Sequence, residues 1–232
     1  MKSLLRQILP VLILGLILCD MVYYRYNYTH LYHALSKQNK NTYSIHIDLD
    51  YYKMYIFKNQ EVIKVYPVSG GKQSTPSPLG TWTIISKADW GEGFGGTWMG
   101  FNVPWGKYGI HGTDEPWSIG RPMSHGCIRM KNKDAKELKK TIPHGTKVTI
   151  VKGILGPFGD YFRVLEPGDA GSDVLMIQKR LNDLGYYNGY CDGKYGDGMK
   201  GAIHKFQKDN KLPISNKISY AMYEKMGFIP ME

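Results

Sequence analysis

The chain has 232 residues, 42% apolar and 13% aromatic, which is enough for one large or two modest domains with hydrophobic cores. Lys and Arg outnumber Asp and Glu by 30 to 20, and the formal charge of +10 favours an anionic partner: nucleic acid, an acidic membrane or an anionic cell wall. The three cysteines, Cys19, Cys127 and Cys191, lie far apart without paired spacing, which argues against a disulfide scaffold or a zinc ribbon.

The N terminus combines two basic residues with an apolar run. Lys2 and Arg6 precede residues 8–24, in which Asp20 is the only charged residue. This pattern is typical of an export signal or a signal anchor. Because the run lacks the small residues of a secretory cleavage site, we expect residues 1–25 to be an uncleaved membrane-anchor helix, with the domains on the cell-wall face. Cleavage of this segment would instead give a secreted protein.

Residues 26–42 are polar and are predicted to be a linker. From residue 43 apolar and polar residues alternate with period two, which predicts β-strands. The predicted strands are 45–49, 54–56, 63–65, 81–86, 97–103, 108–112 and 146–152. Long Gly- and Pro-rich loops separate them, so residues 43–152 are predicted to form a mostly-β domain whose loops can carry function.

One helix is predicted inside this β domain. Asn132 can cap its start, and Pro143 ends it. Ala135, Leu138 and Ile142 fall on one face of the helix. We expect that face to pack on the core.

After a second predicted linker, residues 153–163, the spacing of apolar residues becomes helical. Ser172 can cap a first helix, which ends before Gly185. A second helix follows a turn rich in Gly, Asp and Tyr, and a third, short helix spans 219–227. Residues 164–228 are therefore predicted to form a small three-helix bundle.

Cys127 belongs to the tetrapeptide SHGC, beside a histidine and a glycine. A cysteine attacks as a thiolate, and a neighbouring imidazole can lower its pKa enough for that. Two histidines are candidates for this partner: His125, two positions away, and His111, at the end of a predicted strand. Side chains at positions i and i+2 need not converge, whereas a strand end can bring His111 across a loop to the thiol. We expect His111 to be the base.

Gly126 permits a tight turn before the nucleophile, so that the backbone N–H groups of Gly126 and Cys127 can point at an oxyanion. Arg129 offers a forked cation suited to a substrate carboxylate. Other interpretations stay open: a buried cysteine is often inert, and a strand-end histidine often satisfies a carbonyl. A metal site built from His111, His125 and Cys127 lacks an evident fourth ligand. We expect no metal and no cofactor.

Three segments together resemble the active-site signature of L,D-transpeptidase catalytic domains: IHGT at 110–113, SIG at 118–120 and SHGCIRM at 124–130. The segment VSGGKQSTPSPLGTWTI at 68–84 resembles the strand and Thr-Pro-x-Pro-x-Gly turn of the same family. The resemblance spans about residues 44–151 and implies a mostly-β, sandwich-like domain. It also implies a cysteine that attacks the third residue of a peptidoglycan stem peptide, expels the terminal D-alanine and passes the acyl group to an amine of another stem.

The resemblance implies a role for each residue of the motif. Cys127 is the nucleophile, His111 is the base, and the backbone carbonyl of Gly112 orients the imidazole. His125 and Gly126 are expected to shape the oxyanion turn. Ser124 and Arg129 are expected to contact the substrate. Many members of the family have asparagine at the position of Arg129, so the sequence departs from the family there.

Residues 168–189, with DGKYG and AIHKFQKDNKL after them, resemble a helical peptidoglycan-binding domain, and the match covers about residues 165–227. Met199 stands where members often have a Thr helix cap, and Asp197 can take over that capping. Such a domain tethers the catalytic unit to its substrate. The alternative is that the helical bundle completes the fold without binding a ligand.

The resemblances together imply a membrane-anchored peptidoglycan L,D-transpeptidase. Its partners are stem peptides, the anionic cell wall and, through the N-terminal segment, the membrane. Two alternatives stay open: an L,D-carboxypeptidase, in which water takes the acyl group, and a catalytically inert wall-binding protein. Export argues against nucleic acid as a partner.

Overall fold

The computed structural model describes residues 42–229. The predicted anchor and almost all of the first predicted linker, residues 1–41, lie outside the described residues. Within residues 42–229 no helix is both long and apolar enough to span a bilayer. The described residues from Tyr43 onward form one compact unit.

The first part of this unit is built from β-strands. They are β1 (Tyr43–Asp48), β2 (Lys53–Lys58), β3 (Glu61–Pro67), β4 (Gly70–Gly71), β5 (Gly80–Ala88), β6 (Trp98–Phe101), β7 (Gly109–His111), β8 (Pro122–Ser124), β9 (Ile128–Arg129) and β10 (Lys147–Val151). An eight-stranded sheet has the order β3-β2-β1-β10-β5-β6-β7-β9, and β4 pairs with β8 in a small second sheet. The pairs β1–β10, β7–β9 and β4–β8 are parallel.

Strand β5 joins the two halves of the large sheet. Its pairing with β6 shifts register between Ile84 and Ser86, an irregularity of the kind that bends a strand. Buried residues of both halves, such as Ile47 in β1 and Ile110 in β7, belong to one hydrophobic cluster. The sheet therefore curls around a single core. The mostly-β prediction is confirmed, but the two layers expected of a sandwich are one continuous curled sheet.

Each predicted strand segment overlaps an observed strand. Ile45 and Ile47 of β1 and Met54 and Ile56 of β2 face the core, as their alternation predicted. Strand β3 differs, because it lies at one edge of the sheet. Its Ile63 is 47% exposed, although its sequence pattern resembles that of a buried strand.

Helix α1 (Asn132–Thr141) packs its predicted face on the β core, and Ala135 and Leu138 are buried. The expectation that Asn132 caps this helix is wrong. Lys131 occupies the cap position, and Asn132 Oδ1 instead accepts a hydrogen bond from the backbone N–H of Thr113 at 2.7 Å. The start of α1 is thereby tied to the loop that follows β7.

Three helices follow the sheet: α2 (Ser172–Asp183), α3 (Asp197–Asp209) and α4 (Tyr220–Lys225). They share a second hydrophobic cluster, which includes Ile177, Ile203 and Met222. The predicted caps are wrong for both longer helices, because the first intrahelical hydrogen bonds start one residue earlier. Gly171 and Gly196 occupy the cap positions and accept these bonds from Leu175 and Lys200.

The helical part contacts the β part directly. Leu175 is 9% exposed and belongs to the β core cluster, and Cys191 packs against the same cluster. A Cβ at Gly193 would overlap the indole ring of Trp105. Residues 153–163, predicted to be a linker, carry a short 3-10 helix at Gly156–Phe158, and Phe158 packs on the helical cluster.

Candidate active site

Strands β7 and β9 bring the candidate base and nucleophile to adjoining positions. Their parallel pairing sets Ile110 opposite Ile128 and His111 opposite Arg129. Side chains alternate along each strand, so Cys127, one residue before β9, falls on the same face as His111. Between these two described residues the structure shows no hydrogen bond, and the thiol lies 4.0 Å from the carbonyl oxygen of Lys107. His111 and Cys127 are neighbours across two strands rather than a bonded pair.

His111 is buried against aromatic rings. Its side chain is 4% exposed, and its ring centroid lies 4.9 Å from that of Phe94 and 6.1 Å from that of Trp98. Its Nδ1 lies 2.5 Å from the carbonyl oxygen of Gly112. Because a carbonyl oxygen only accepts, Nδ1 carries the proton and Nε2 keeps its lone pair. The tautomer that a general base requires is therefore selected by one backbone group.

Burial favours the neutral form of both groups. It lowers the pKa of His111 to about 4. The charge of Arg129 lowers this pKa further, whereas the hydrogen bond to Gly112 raises it. Burial raises the pKa of the Cys127 thiol above its ordinary value, although the backbone of Gly109 and the charge of Arg129 pull that pKa down. The resting site thus holds a neutral imidazole and a protonated thiol. The expected lowering of the thiol pKa by an imidazole is not what this environment produces.

The turn before Cys127 is held by Ser124. The Ser124 side chain is 1% exposed; its Oγ accepts from the N–H of Gly126 at 3.0 Å and donates to the carbonyl of Cys127 at 2.6 Å. Two expectations need correction as a result. Ser124 is too buried to contact a substrate, and the N–H of Gly126 is engaged inside the turn rather than free for an oxyanion.

Two other features of this turn bear on chemistry. Gly126 has φ +111°, and a Cβ there would lie 2.6 Å from the ring of Tyr108. Only glycine fits that position without displacing the ring. The N–H of Cys127 makes no hydrogen bond with another described residue, so it is available as a donor. His125, which belongs to the same turn, is exposed.

Arg129 lies beside the pair, with a side chain that is 16% exposed. One of its terminal nitrogens donates to Glu115 Oε2 at 2.7 Å, and its Nε is buried without a hydrogen-bond partner. Its charge acts on both His111 and Cys127. The guanidinium is thus placed to interact with an anionic group at the site, but Glu115 already occupies one of its donors.

The sequence analysis missed several supporting residues. Glu115 pairs with Arg129, and Phe94 and Trp98 surround the imidazole. Asn132 sits so close to Gly112 that a Cβ at that glycine would overlap its amide oxygen. The aromatic and glycine-rich loop at 90–98 carried a signal for such close packing, but a loop pattern does not say which strand end it covers.

In residues 42–229 no group of three or more His, Cys, Asp or Glu side chains is arranged to hold a metal ion. Cys127 and Cys191 are both free thiols.

Known proteins resemble parts of the chain. The putative L,D-transpeptidase YkuD of Bacillus subtilis (strain 168) is 46% identical over 93 residues, which cover 40% of this chain and 56% of that protein. The putative L,D-transpeptidase YkuD of Bacillus licheniformis is 38% identical over 109 residues, 47% of this chain and 65% of that protein. The chain thus spans between about half and two thirds of the length of these relatives.

Solved structures also match less than half of this chain. The NMR structure of the catalytic domain of the Enterococcus faecium L,D-transpeptidase is 26% identical, with a TM-score of 0.42, and the match covers 47% of this chain and 97% of that one. An L,D-transpeptidase from Mycobacterium smegmatis is 23% identical, with a TM-score of 0.42, over 47% of this chain and 58% of that one.

Family models match both parts of the described unit. Residues 42–150 match the model of the L,D-transpeptidase catalytic domain, and residues 170–226 match that of a putative peptidoglycan binding domain. The β part is therefore similar to the L,D-transpeptidase catalytic domain family, and the helical part to the putative peptidoglycan-binding domain family. Both resemblances inferred from the motifs are confirmed.

Proposed function

We propose that this protein is a peptidoglycan L,D-transpeptidase with Cys127 as its nucleophile and His111 as its base. One observation carries the proposal: two adjacent parallel strands set these residues on one face, while the Gly112 carbonyl holds the imidazole with Nε2 unprotonated. The match of residues 42–150 to the L,D-transpeptidase catalytic domain supports the reaction class.

In the first half-reaction, Cys127 Sγ attacks the carbonyl carbon of the third stem residue. The neutral imidazole of His111 takes the thiol proton as the C–S bond forms, because the resting thiol is protonated. The N–H of Cys127 receives the oxyanion. The imidazolium then gives its proton to the departing amine, and the C–N bond breaks. Terminal D-alanine is released, and the rest of the stem stays bound to Cys127 as a thioester.

In the second half-reaction, an amine of another stem attacks the thioester. His111 accepts the proton that the amine loses, and the C–S bond breaks to release the cross-linked peptide. The sulfur recovers its proton from the imidazolium, which restores the neutral pair. In both halves the Gly112 carbonyl stabilises the imidazolium through its bond to Nδ1–H.

Arg129 is proposed to bind a carboxylate of the stem peptide. Its guanidinium has donors beyond the one that Glu115 occupies, and it lies next to both reacting groups. His125, exposed on the turn, is proposed to border the bound peptide. The helical part is proposed to bind peptidoglycan, which its match to the peptidoglycan-binding model supports, and residues 1–25 to anchor the protein in the membrane with both domains facing the cell wall.

Product analysis tests the proposal. The purified full chain is incubated with a tetrapeptide muropeptide, and the products are weighed by mass spectrometry. We expect free D-alanine and a cross-linked dimer, both lost in Cys127→Ala and both retained in Cys191→Ala, the matched control for thiol removal. Tripeptide without any dimer would mean that water is the acceptor. Equal products from Cys127→Ala and the parent would overturn the assignment of the nucleophile.

A further inference from the structure

A cleft of about 770 Å³ lies between the β part and the helical part. This volume is within the range of roughly 300–1,000 Å³ that is typical of ligand sites. Its lining comes from both parts: residues 70–79 on the β side, and residues 157–161 and 168–173 on the helical side. Neither family match by itself covers such a composite site.

The cleft reaches the turn that carries the nucleophile. His125, two residues before Cys127, lines the cleft, and so does Tyr108, whose ring lies against Gly126. From there the cleft extends to Tyr161 and to the start of α2. A ligand lying along the cleft therefore has one end at the Cys127 turn and the other on the helical part.

The lining combines aromatic faces with hydroxyl groups. Tyr52, Trp105 and Tyr161 supply rings, and the loop at 70–79 supplies the hydroxyls of Ser74 and of Thr75, which already donates to the Ser124 carbonyl and can accept from a ligand. Rings offer a flat apolar face beside a polar edge, which suits a ligand that is itself apolar on one face and hydroxylated around its rim. A sugar ring has this character.

The charged groups of the cleft are paired, with one exception. Lys152 pairs with Asp160 at 2.8 Å, and Arg163 pairs with Asp169 and Asp173. Lys72 is exposed in the cleft and makes no ion pair with another described residue. It is therefore the cation of this cleft that is available to a ligand carboxylate.

We propose that this cleft binds the disaccharide-peptide unit of peptidoglycan, with the sugar against Tyr161 and a stem carboxylate at Lys72. The inference rests on the proposed function and deepens it, because the helical part then forms one wall of the donor site rather than a separate tether. The cleft borders the Cys127 turn at His125, and an extended stem of three residues spans roughly 10 Å, so the ligand is proposed to run from the sugar in the cleft toward Cys127.

Binding to the full-length Cys127→Ala protein, measured by titration calorimetry, tests the proposal with two probes: a disaccharide-tetrapeptide and the free tetrapeptide. We expect the disaccharide form to bind about tenfold more tightly and Tyr161→Ala to remove that advantage. Lys72→Ala weakens both probes by about tenfold, and Lys72→Glu weakens them further. Tyr161 is 55% exposed and Lys72 is exposed, so these truncations leave the fold intact.

Matched controls lie outside the cleft. Tyr190, which is 81% exposed, and Lys140, also exposed, do not line it, and their alanine variants are expected to bind both probes as the parent does. Parent-like binding by Tyr161→Ala and Lys72→Ala would overturn the proposal. So would equal affinities of the parent for the two probes.

Failure of this inference is distinguishable from failure of the proposed function. If Tyr161→Ala and Lys72→Ala, with Cys127 present, form cross-links with the KM of the parent, the cleft is not the donor site. The proposed transpeptidase activity is then unaffected. If the cleft variants lose binding as expected but the parent forms no cross-link, the cleft stands and the proposed reaction is wrong.

Discussion

His111 owes its proposed chemistry to burial and to one backbone carbonyl. Its ring is enclosed by Phe94 and Trp98, and Gly112 accepts from Nδ1. The enclosure keeps the imidazole neutral, with a pKa of about 4, while the carbonyl selects the tautomer. A base that stays unprotonated across the neutral range is ready to take the thiol proton as attack occurs.

The same burial makes stability depend on pH. The unfolded imidazole binds a proton below its ordinary pKa of about 6.5, whereas the folded one stays neutral down to about 4. Stability is therefore lost as pH falls through this window and levels off below it. We expect His111 to contribute about 3 kcal/mol to the difference in unfolding free energy between about pH 7 and about pH 4.

Urea unfolding of the parent and of His111→Gln at the two pH values measures this contribution. The variant is expected to lose less stability on acidification by that amount. An identical pH dependence in both proteins would contradict the buried, neutral imidazole.

The turn before Cys127 depends on the missing side chain of Gly126. Gly126 and Gly120 both have positive φ, +111° and +88°, but a Cβ meets Tyr108 and the Pro76 carbonyl at Gly126 and open space at Gly120. Gly120→Ala therefore costs only backbone strain of about 1 kcal/mol. Gly126→Ala must also displace the turn, and we expect acyl-enzyme formation to slow about a hundredfold. Single-turnover mass measurements compare the two variants; similar rates would show that the turn tolerates the methyl group.

Some residues of the candidate site could be predicted from the sequence, and others could not. The SHGC motif and the strand-end histidine identified Cys127 and His111 as candidates, because their residue types are informative by themselves. The part played by Ser124 was misjudged, because a sequence does not say which donors a turn consumes. Glu115 was missed for the same reason: its pairing with Arg129 depends on how the intervening loop folds.

At the scale of elements, Trp105 links the two parts of the unit. Its ring lies 5.2 Å from that of Trp82 and 6.3 Å from that of Tyr108, and it also packs on Gly193. The helical part is thus docked through the turn between α2 and α3. The absence of a side chain at Gly193 is what allows the close approach.

Gly193→Ala tests this docking against Gly185→Ala. Both glycines have positive φ, +69° and +78°, but a Cβ at Gly185 meets nothing within 4 Å. We expect Gly193→Ala to cost about 2 kcal/mol more in unfolding free energy, because the indole must move. In a Trp105→Ala background the extra cost should vanish. Additive effects of Trp105→Ala and Gly193→Ala in denaturant unfolding would refute the contact.

Most of the strands were predictable, but β4, β8 and β9 were not. Strands β1, β2 and β10 are recognisable from their alternation of apolar and polar residues. Strands β4 and β9 have two residues each and are too short to show a period. The exposure of Ile63 and the curl of the sheet depend on the order in which distant strands pair, which no local pattern contains.

At the scale of the whole molecule, the described residues from Tyr43 onward form one compact unit. The sequence predicted two domains joined by a linker at 153–163, without predicting contacts between them. Leu175 and Cys191 pack against the β core, and Phe158 of that segment packs on the helices. Such docking depends on surface complementarity between distant residues, so the composition of the linker does not reveal it.

The most direct test of the whole account is the intact mass of the full chain during reaction with a tetrapeptide muropeptide, followed by mapping of the modified peptide. The account predicts a transient adduct of the muropeptide minus D-alanine on Cys127, absent in Cys127→Ala and strongly slowed in His111→Gln. An adduct on Cys191, or none on Cys127 while D-alanine is still released, would contradict it.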